Sequence, residues 1–256
     1  MSDAAARASP WPARAVGAGT VVAVVVLIEV LIRAGAINRF VVPLPSQVLT
    51  AVPRVVAEEN VVARFWQTLQ EMLWAALLLA LVGVALGVLL HRVRLLRLAC
   101  ETWVGALAAA PIVLMYPLFL VIFGRSAATI IAIGFAAGLP AVVLKTIEGL
   151  AGTRQVLIDV GRSLKLTSSQ QFRKILLPAA LPAIFVGLRL GLIFAMINIV
   201  GVEFLINFGG LGQLVNEMAE RYDLPAMYAA IGFVVLASIL FFDVTERLER
   251  WMRHVR

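Results

Sequence analysis

The side chains able to do chemistry fall into two groups: a charged insert at residues 149–179, and a few polar residues stranded in apolar runs. The insert carries Asp159, Arg162, Lys165, Arg173 and Lys174 among Leu157, Val160, Gly161, Leu164, Phe172, Ile175, Leu176 and Pro178. That mixture suits recognition of a protein surface better than covalent chemistry. Leu157, Val160, Gly161 and Leu164 recur at i, i+3, i+4 and i+7, one face of a helix, and Arg154, Asp159 and Arg162 lie away from it. A second helix is predicted with Ser168 and Gln171 as a capping box, then Phe172, Ile175 and Leu176, with Pro178 closing it. Two short helices with apolar knobs and flanking positive charge fit a groove on a soluble partner. A connecting loop folded on its own bundle is the plainer alternative.

The second group is Arg189, Asn198 and Glu203 in one apolar run, with Glu29 and Asp243 in two others. Polar groups are costly in hydrocarbon, so each is a functional candidate by default. Glu203 stands just before Asn207 and Gly209-Gly210-Leu211-Gly212, where a helix is expected to break. It is expected either to line or gate a path, or to cap a neighbouring helix. Asn198 is expected to face the same path, with Met115 and Tyr116, which lie between Pro111 and Pro117 where a distorted span could open a lining surface. Arg189 is expected to bond carbonyls inside the bundle, and Asp243 to pair with nearby arginines.

Several chemistries are absent. No Gly-x-x-x-x-Gly-Lys-Ser/Thr loop exists to cradle nucleotide phosphates, and no His-Glu-x-x-His metal site occurs. Gly124-Arg125-Ser126-Ala127 faintly resembles the serine-protease turn of rhomboids, but that chemistry needs a histidine base beside the serine. The two histidines, His91 and His254, are predicted at the other face of the membrane. One cysteine, Cys100, allows no intrachain disulfide and is read as structural.

The elements that must position these residues are membrane helices. Of 256 residues, 62% are hydrophobic and only 14% charged, and the mean hydropathy is +0.97. Too little polar surface remains to cover a soluble domain of this size. Runs of ~20 apolar residues cross the bilayer, and six are predicted, near 16–36, 65–90, 98–123, 127–148, 180–206 and 226–246. The fourth is expected to be interrupted at Gly138-Leu139-Pro140. The fold class is therefore an all-α membrane protein of six transmembrane helices, with the insert between the fourth and fifth. Its divisions are a tail at 1–15, a six-span domain at 16–246 and a basic tail at 247–256. The first span could instead be a signal peptide, since Ala34-Gly35-Ala36 resembles a cleavage site, but its length and Glu29 favour an anchor.

Net charge is +7, and its distribution has a topological explanation rather than a nucleic-acid one. With both termini cytoplasmic, fifteen Lys and Arg fall inside and six outside, with Arg189 within a span. The segment 37–64 is then outside. Pro43-Leu44-Pro45 should be extended, and Ser46 is a candidate N-cap for a surface helix with Val48, Leu49, Val52, Val55 and Val56 near one face. The alternatives to a partner-driven transporter are an ATP-independent channel or secondary carrier and, less favoured, an intramembrane protease.

Asp159-Val160-Gly161, three residues, Lys165, nine residues and Ile175-Leu176-Leu177-Pro178 resemble the cytoplasmic loop of permease subunits in bacterial ATP-binding-cassette importers. That loop reads Glu-Ala-Ala, three residues, Gly, nine residues, Ile-x-Leu-Pro. Spacing holds throughout, while the first triplet is only partly small and the family glycine is Lys165. Glycine allows a left-handed turn there at little steric cost, so lysine implies another turn or local strain. Further segments resemble the nitrate, sulfonate and taurine branch: Val42 to Ser46, Tyr116-Pro117-Leu118 through Gly124, Leu176 through Gly191, Glu203 with Gly210-Leu211-Gly212, and Leu248-Glu249-Arg250-x-Met252 with Trp251. The resemblance implies a bacterial inner-membrane permease without catalysis or cofactor of its own. ATP and Mg would be bound by separate cassette ATPase subunits docking on Leu157, Asp159, Val160, Gly161, Leu164, Lys165, Phe172, Ile175 and Pro178. It also implies a second permease copy and an external solute-binding protein, while the path or gate near Met115, Tyr116, Asn198 and Glu203 rests on the residues themselves.

Overall fold

A computed structural model describes residues 10–254, with side chains from 15 to 247. The predicted tail before Pro10, with Arg7, lies outside the described residues, as do the side chains of the Leu248–Trp251 segment and His254. Every regular element among the described residues is helical. Five stretches are long and apolar enough to span a membrane: Ala15–Arg33, Val61–Arg92, Ala127–Ala151, Ser168–Ile206 and Leu224–Arg247.

The remaining expected span, 98–123, is not a straight rod. Helix α5 (Arg94–Ala109) and the stretch Ile112–Phe123 meet at 94°. Pro111 causes the break: it has no N–H to donate and drives Ala110 into extended backbone, φ −76° and ψ 136°. The chain resumes as a 3-10 turn, Ile112–Met115, and helix α6 (Tyr116–Phe123).

Around this break the other elements follow in order. Helix α1 (Pro10–Arg33) leads to α2 (Pro45–Glu58), and α3 (Val61–Leu78) joins α4 (Val84–Arg92) through a π turn at Leu79–Gly83. Next come α7 (Ala127–Ala151), the insert helices α8 (Gln155–Ser163) and α9 (Ser168–Gln171), and α10 (Leu177–Ile206). Helices α11 (Gly210–Glu220) and α12 (Leu224–His254) close the described chain.

The core forms where α7 packs along α10, the most extensive helix pairing of the fold, with α3 laid across both. Met72, Leu79, Ile130, Ile133, Val142, Ala195 and Ile199 fill it. The expected interruption at Gly138-Leu139-Pro140 is not present, and α7 runs unbroken through it. Gly138 serves close approach instead: a Cβ there would collide with the Gly191 carbonyl of α10. Pro140 is buried beside it, so packing on α10 holds the helix through the hydrogen bond it lacks.

Helix α1 is nearly unpacked, with 6% of its span buried, and it touches the rest through α2. Glu29 makes that link, accepting from Arg33 at 2.8 Å and from the Ser46 N–H at 3.1 Å and hydroxyl at 2.9 Å. Ser46 is therefore not the N-cap of α2; Leu44 holds that position, its N–H donating to Gln47 Oε1 at 3.3 Å. Nor does α2 rest only on a membrane surface. Ala51 and Val55 bury against its neighbours, chiefly α12, while Leu49 and Val56 stay exposed.

Candidate functional site

The insert is built as predicted in outline and differs in its caps. Helix α8 ends in three backbone hydrogen bonds, Leu164 N–H to Val160 O at 3.0 Å, Lys165 N–H to Arg162 O at 2.9 Å and Leu166 N–H to Gly161 O at 3.0 Å. The last two are the paired bonds of a Schellman C-cap, which needs a left-handed residue next to the helix end. Lys165 supplies it at φ +52°. The turn is thus the one a glycine would make, and the lysine Cβ carries a steric cost of ~1–2 kcal/mol.

That geometry moves the next cap by one residue. With Leu166 closing α8, Thr167 is extended and forms the capping box with Gln170 instead of the expected Ser168 and Gln171. Gln170 N–H donates to Thr167 Oγ1 at 3.3 Å, and Thr167 N–H to Gln170 Oε1 at 2.9 Å. Gln171 is freed to donate to the Ile158 carbonyl at 3.3 Å, tying the two insert helices together. Pro178 does not close the second helix. A π turn at Phe172–Leu176, closed by the Leu177 N–H on the Phe172 carbonyl, precedes it and carries α9 into α10.

The expected apolar face of α8 divides in two. Gly161 is buried under Ile175, whose Cδ1 would lie 2.6 Å from a Cβ at that position. Leu157, Val160 and Leu164 point away, with Val156, and Leu164 is 68% exposed. Asp159 is also exposed and pairs with Arg162 at 3.1 Å. Lys165, Arg173 and Lys174 are exposed around this patch. Phe172 is half-buried beneath Arg92, whose Cζ lies 4.1 Å from the ring centroid. Sequence reading counted Arg92 as topological charge only, since nothing local in the sequence joins residue 92 to residue 172.

At the opposite end, Glu203 is fully buried. Its Oε1 accepts from the Thr68 hydroxyl at 2.6 Å and its Oε2 from the Gly212 N–H at 2.8 Å, while Leu211 N–H donates to Thr68 Oγ1 at 2.9 Å. One carboxyl group thereby joins α3, α10 and the first turn of α11. The glycines are required by it: a Cβ on Gly210 would strike the Glu203 carboxyl, and one on Gly212 the Val200 carbonyl. Gly210 also has φ +78°. Glu71 is buried next to Glu203, and Gln67 donates to its Oε1 at 3.4 Å. Thr68 and Glu71 escaped the sequence reading, although polar residues in an apolar run are the signal that singled out Glu203.

Glu203 therefore caps a helix. The other expected path residues lie on another side of α10. Val113 of the 3-10 turn packs at Gly201, 3.5 Å from where a Cβ would be. Residue 203 is ~200° around the helix from 201, and residue 198 only ~60°. Met115 is exposed, Tyr116 is half-buried against the core, and Asn198 donates to its own helix at Phe194 O, 2.8 Å away. Arg189 lies over the Phe242 ring at 5.7 Å, and Asp243 pairs with Arg247 at 2.7 Å.

The same end is strapped by ion pairs: Arg54 to Asp223 at 2.6 Å, Arg64 to Glu217 at 2.7 Å and Arg221 to Glu59 at 2.5 Å. Partial burial pushes the Asp223 carboxyl up, but hydrogen bonds from Arg54 and the Ala226 N–H outweigh it and hold the group below its ordinary value. Arg125 donates to the Asn207 carbonyl, fixing the loop before α7 to the end of α10.

Residues 80–254 match the family described as binding-protein-dependent transport system inner membrane component. A probable ABC transporter permease protein of Brucella melitensis is 26% identical over 221 residues, covering 84% of this chain and 89% of that protein. The nitrate import permease protein NrtB of Synechocystis is 30% identical over 161 residues, 63% of this chain and 58% of the relative. Among solved structures, a chain of the MetNI methionine ABC transporter in an inward-facing conformation has a TM-score of 0.64 at 24% identity, covering 74% of this chain and 94% of that one. With the family model spanning more than half of its length, the chain belongs to the binding-protein-dependent transport system inner membrane components, the permease subunits of ABC importers.

Proposed function

We propose that this multi-pass permease couples ATP hydrolysis in separate cassette subunits to the passage of a small solute. The insert would face the cytoplasm with both termini, and the bent α5–α6 pair would complete six spans. The observation that carries the reading is the exposed apolar row Val156, Leu157, Val160 and Leu164 on an insert otherwise rich in charge. An apolar row exposed on a short helix closed by a Schellman turn is suited to a groove on a soluble partner. Leu157, Asp159, Val160, Leu164 and Lys165 would meet that partner directly, while Gly161, Phe172, Ile175 and Pro178 hold the insert in shape.

Two copies of the chain would enclose the path, with Met115, Tyr116 and Asn198 as its lining candidates. ATP and Mg would belong to the ATPase subunits, and an external solute-binding protein would deliver cargo to the end strapped by Arg54 and Arg64. A nitrate importer among the relatives makes small anions the first cargo class to try. The test is uptake into proteoliposomes holding the chain, its ATPase and its binding protein. Uptake should require all three together with ATP; uptake by the chain alone along a gradient would refute the coupling.

A further inference from the structure

Between the end of α4 and the insert lies a cavity of about 600 Å³ whose walls include His91, Arg92, Ile158, Ser168, Ser169 and Phe172. From these walls we infer that it is a binding site for a phosphate-type oxyanion. The inference is separate from the ATPase-docking reading, because the apolar docking row of α8 does not line this cavity.

Three observations converge on an anion. Among the described residues no carboxylate lines the cavity, and Arg92 has an aromatic face as its partner in place of an acid. A guanidinium placed over the Phe172 ring keeps its N–H fork for an acceptor, and such a fork can grip a phosphate with two parallel bonds. Ser168 and Ser169 add exposed hydroxyls on the opposite wall.

The site's depth suggests two sources for the group. Val61–Arg92 contains 32 residues, so the rod is about 48 Å long. Hydrocarbon and headgroup regions together are about 40–45 Å thick. The Arg92 end therefore reaches headgroup level, where a lipid phosphodiester or a small dissolved phosphate could enter. Either would bridge the rod to the insert and restrain the segment proposed to dock the ATPase.

The experiment uses the full chain in nanodiscs, in two arms. Native mass spectrometry from discs containing phosphatidylglycerol should find that lipid retained on the wild type and at least ~5-fold less on Arg92→Gln. In phosphatidylcholine discs, inorganic phosphate should raise the unfolding midpoint of the wild type and not of the variant. The first result assigns the lipid as source, the second a free anion, and either supports the site. Ser169→Asp, which sets an acid in the cavity and leaves Arg92 intact, should act like Arg92→Gln and serves if that variant does not insert. Arg94→Gln, outside the cavity lining, should retain binding. Absence of both effects, or an equal loss in Arg94→Gln, overturns the proposal.

Discussion

At the insert, Val160 stands exposed on a helix of nine residues and Leu164 at its C-cap, held by a lysine in a left-handed turn and by Gln171 reaching across to Ile158. At the far end of the bundle, Glu203, Glu71 and Thr68 are sealed from solvent, and α11 is stitched to α3 and α10 through one carboxyl group. Apolar groups stand exposed at one end, and polar groups are buried at the other. Both arrangements are unfavourable for a lone folded chain unless compensated. At the buried end the Glu203 carboxyl and the Thr68 hydroxyl are compensated within the chain by their hydrogen bonds, whereas Glu71 Oε2 has no partner among the described residues. The apolar row of the insert has no cover within the chain's described residues, and in the proposed reading a partner supplies it. The contrast separates a buried structural joint from a proposed contact surface, and substitutions at the two should fail differently.

The largest effect is expected at the joint. Glu203→Ala leaves the Thr68 hydroxyl and the Gly212 N–H without acceptors in a dry site, a loss of about 3 kcal/mol. Glu203→Gln keeps the shape and one acceptor oxygen and should lose about 1 kcal/mol. Thermal unfolding in detergent measures both, and ATPase association should survive in any protein that still inserts. Gly161→Leu comes next, since its side chain would enter the space of Ile175. Overpacking of this kind costs about 1–3 kcal/mol, here confined to the insert. Hydrogen exchange should rise across residues 155–176 while the bundle midpoint holds. Equal destabilisation of the bundle would mean that the two regions are one cooperative unit.

Lys165→Gly relieves the left-handed turn and should stabilise the insert by about 1 kcal/mol, read as slower exchange at Leu164 and Leu166, without loss of transport. The smallest effect concerns the Arg54–Asp223 strap. Asp223 is held below its ordinary value, so the strap contributes above the unfolded carboxyl value and is lost as pH falls through the folded one. A modest drop in unfolding midpoint is expected below about pH 4, and Asp223→Asn should remove that part of the pH dependence.

Helix content and five of the spans were legible because each is a long apolar run whose identity does not depend on neighbours. The insert's two helices were legible for a similar local reason, a helical period and a nearby cap. Features set by distant contacts were not. Proline and glycine at 138–140 read as a break, yet the α10 backbone across from Gly138 keeps α7 whole. Ser46 read as a cap because Glu29, seventeen residues earlier, could not be seen to claim it. The Ser168 box missed by one residue because the Schellman turn at Lys165 fixes where the next helix can begin. Of the candidate site, Glu203 was found by its type, while Thr68 and Arg92 become meaningful only once α3 and the insert are placed in space.

The central claim, that the exposed row of α8 is a contact surface awaiting a partner, is tested most directly at Leu164. This side chain is 68% exposed and supports nothing in the core. Leu164→Asp should therefore insert and unfold like the wild type while placing a carboxylate in a dry groove of the partner, at a cost of at least ~1.4 kcal/mol, or tenfold in affinity. Affinity of the purified permease for its ATPase subunit, measured by titration in nanodiscs, should fall at least ~10-fold. Unchanged affinity in a normally folded Leu164→Asp protein would contradict the account.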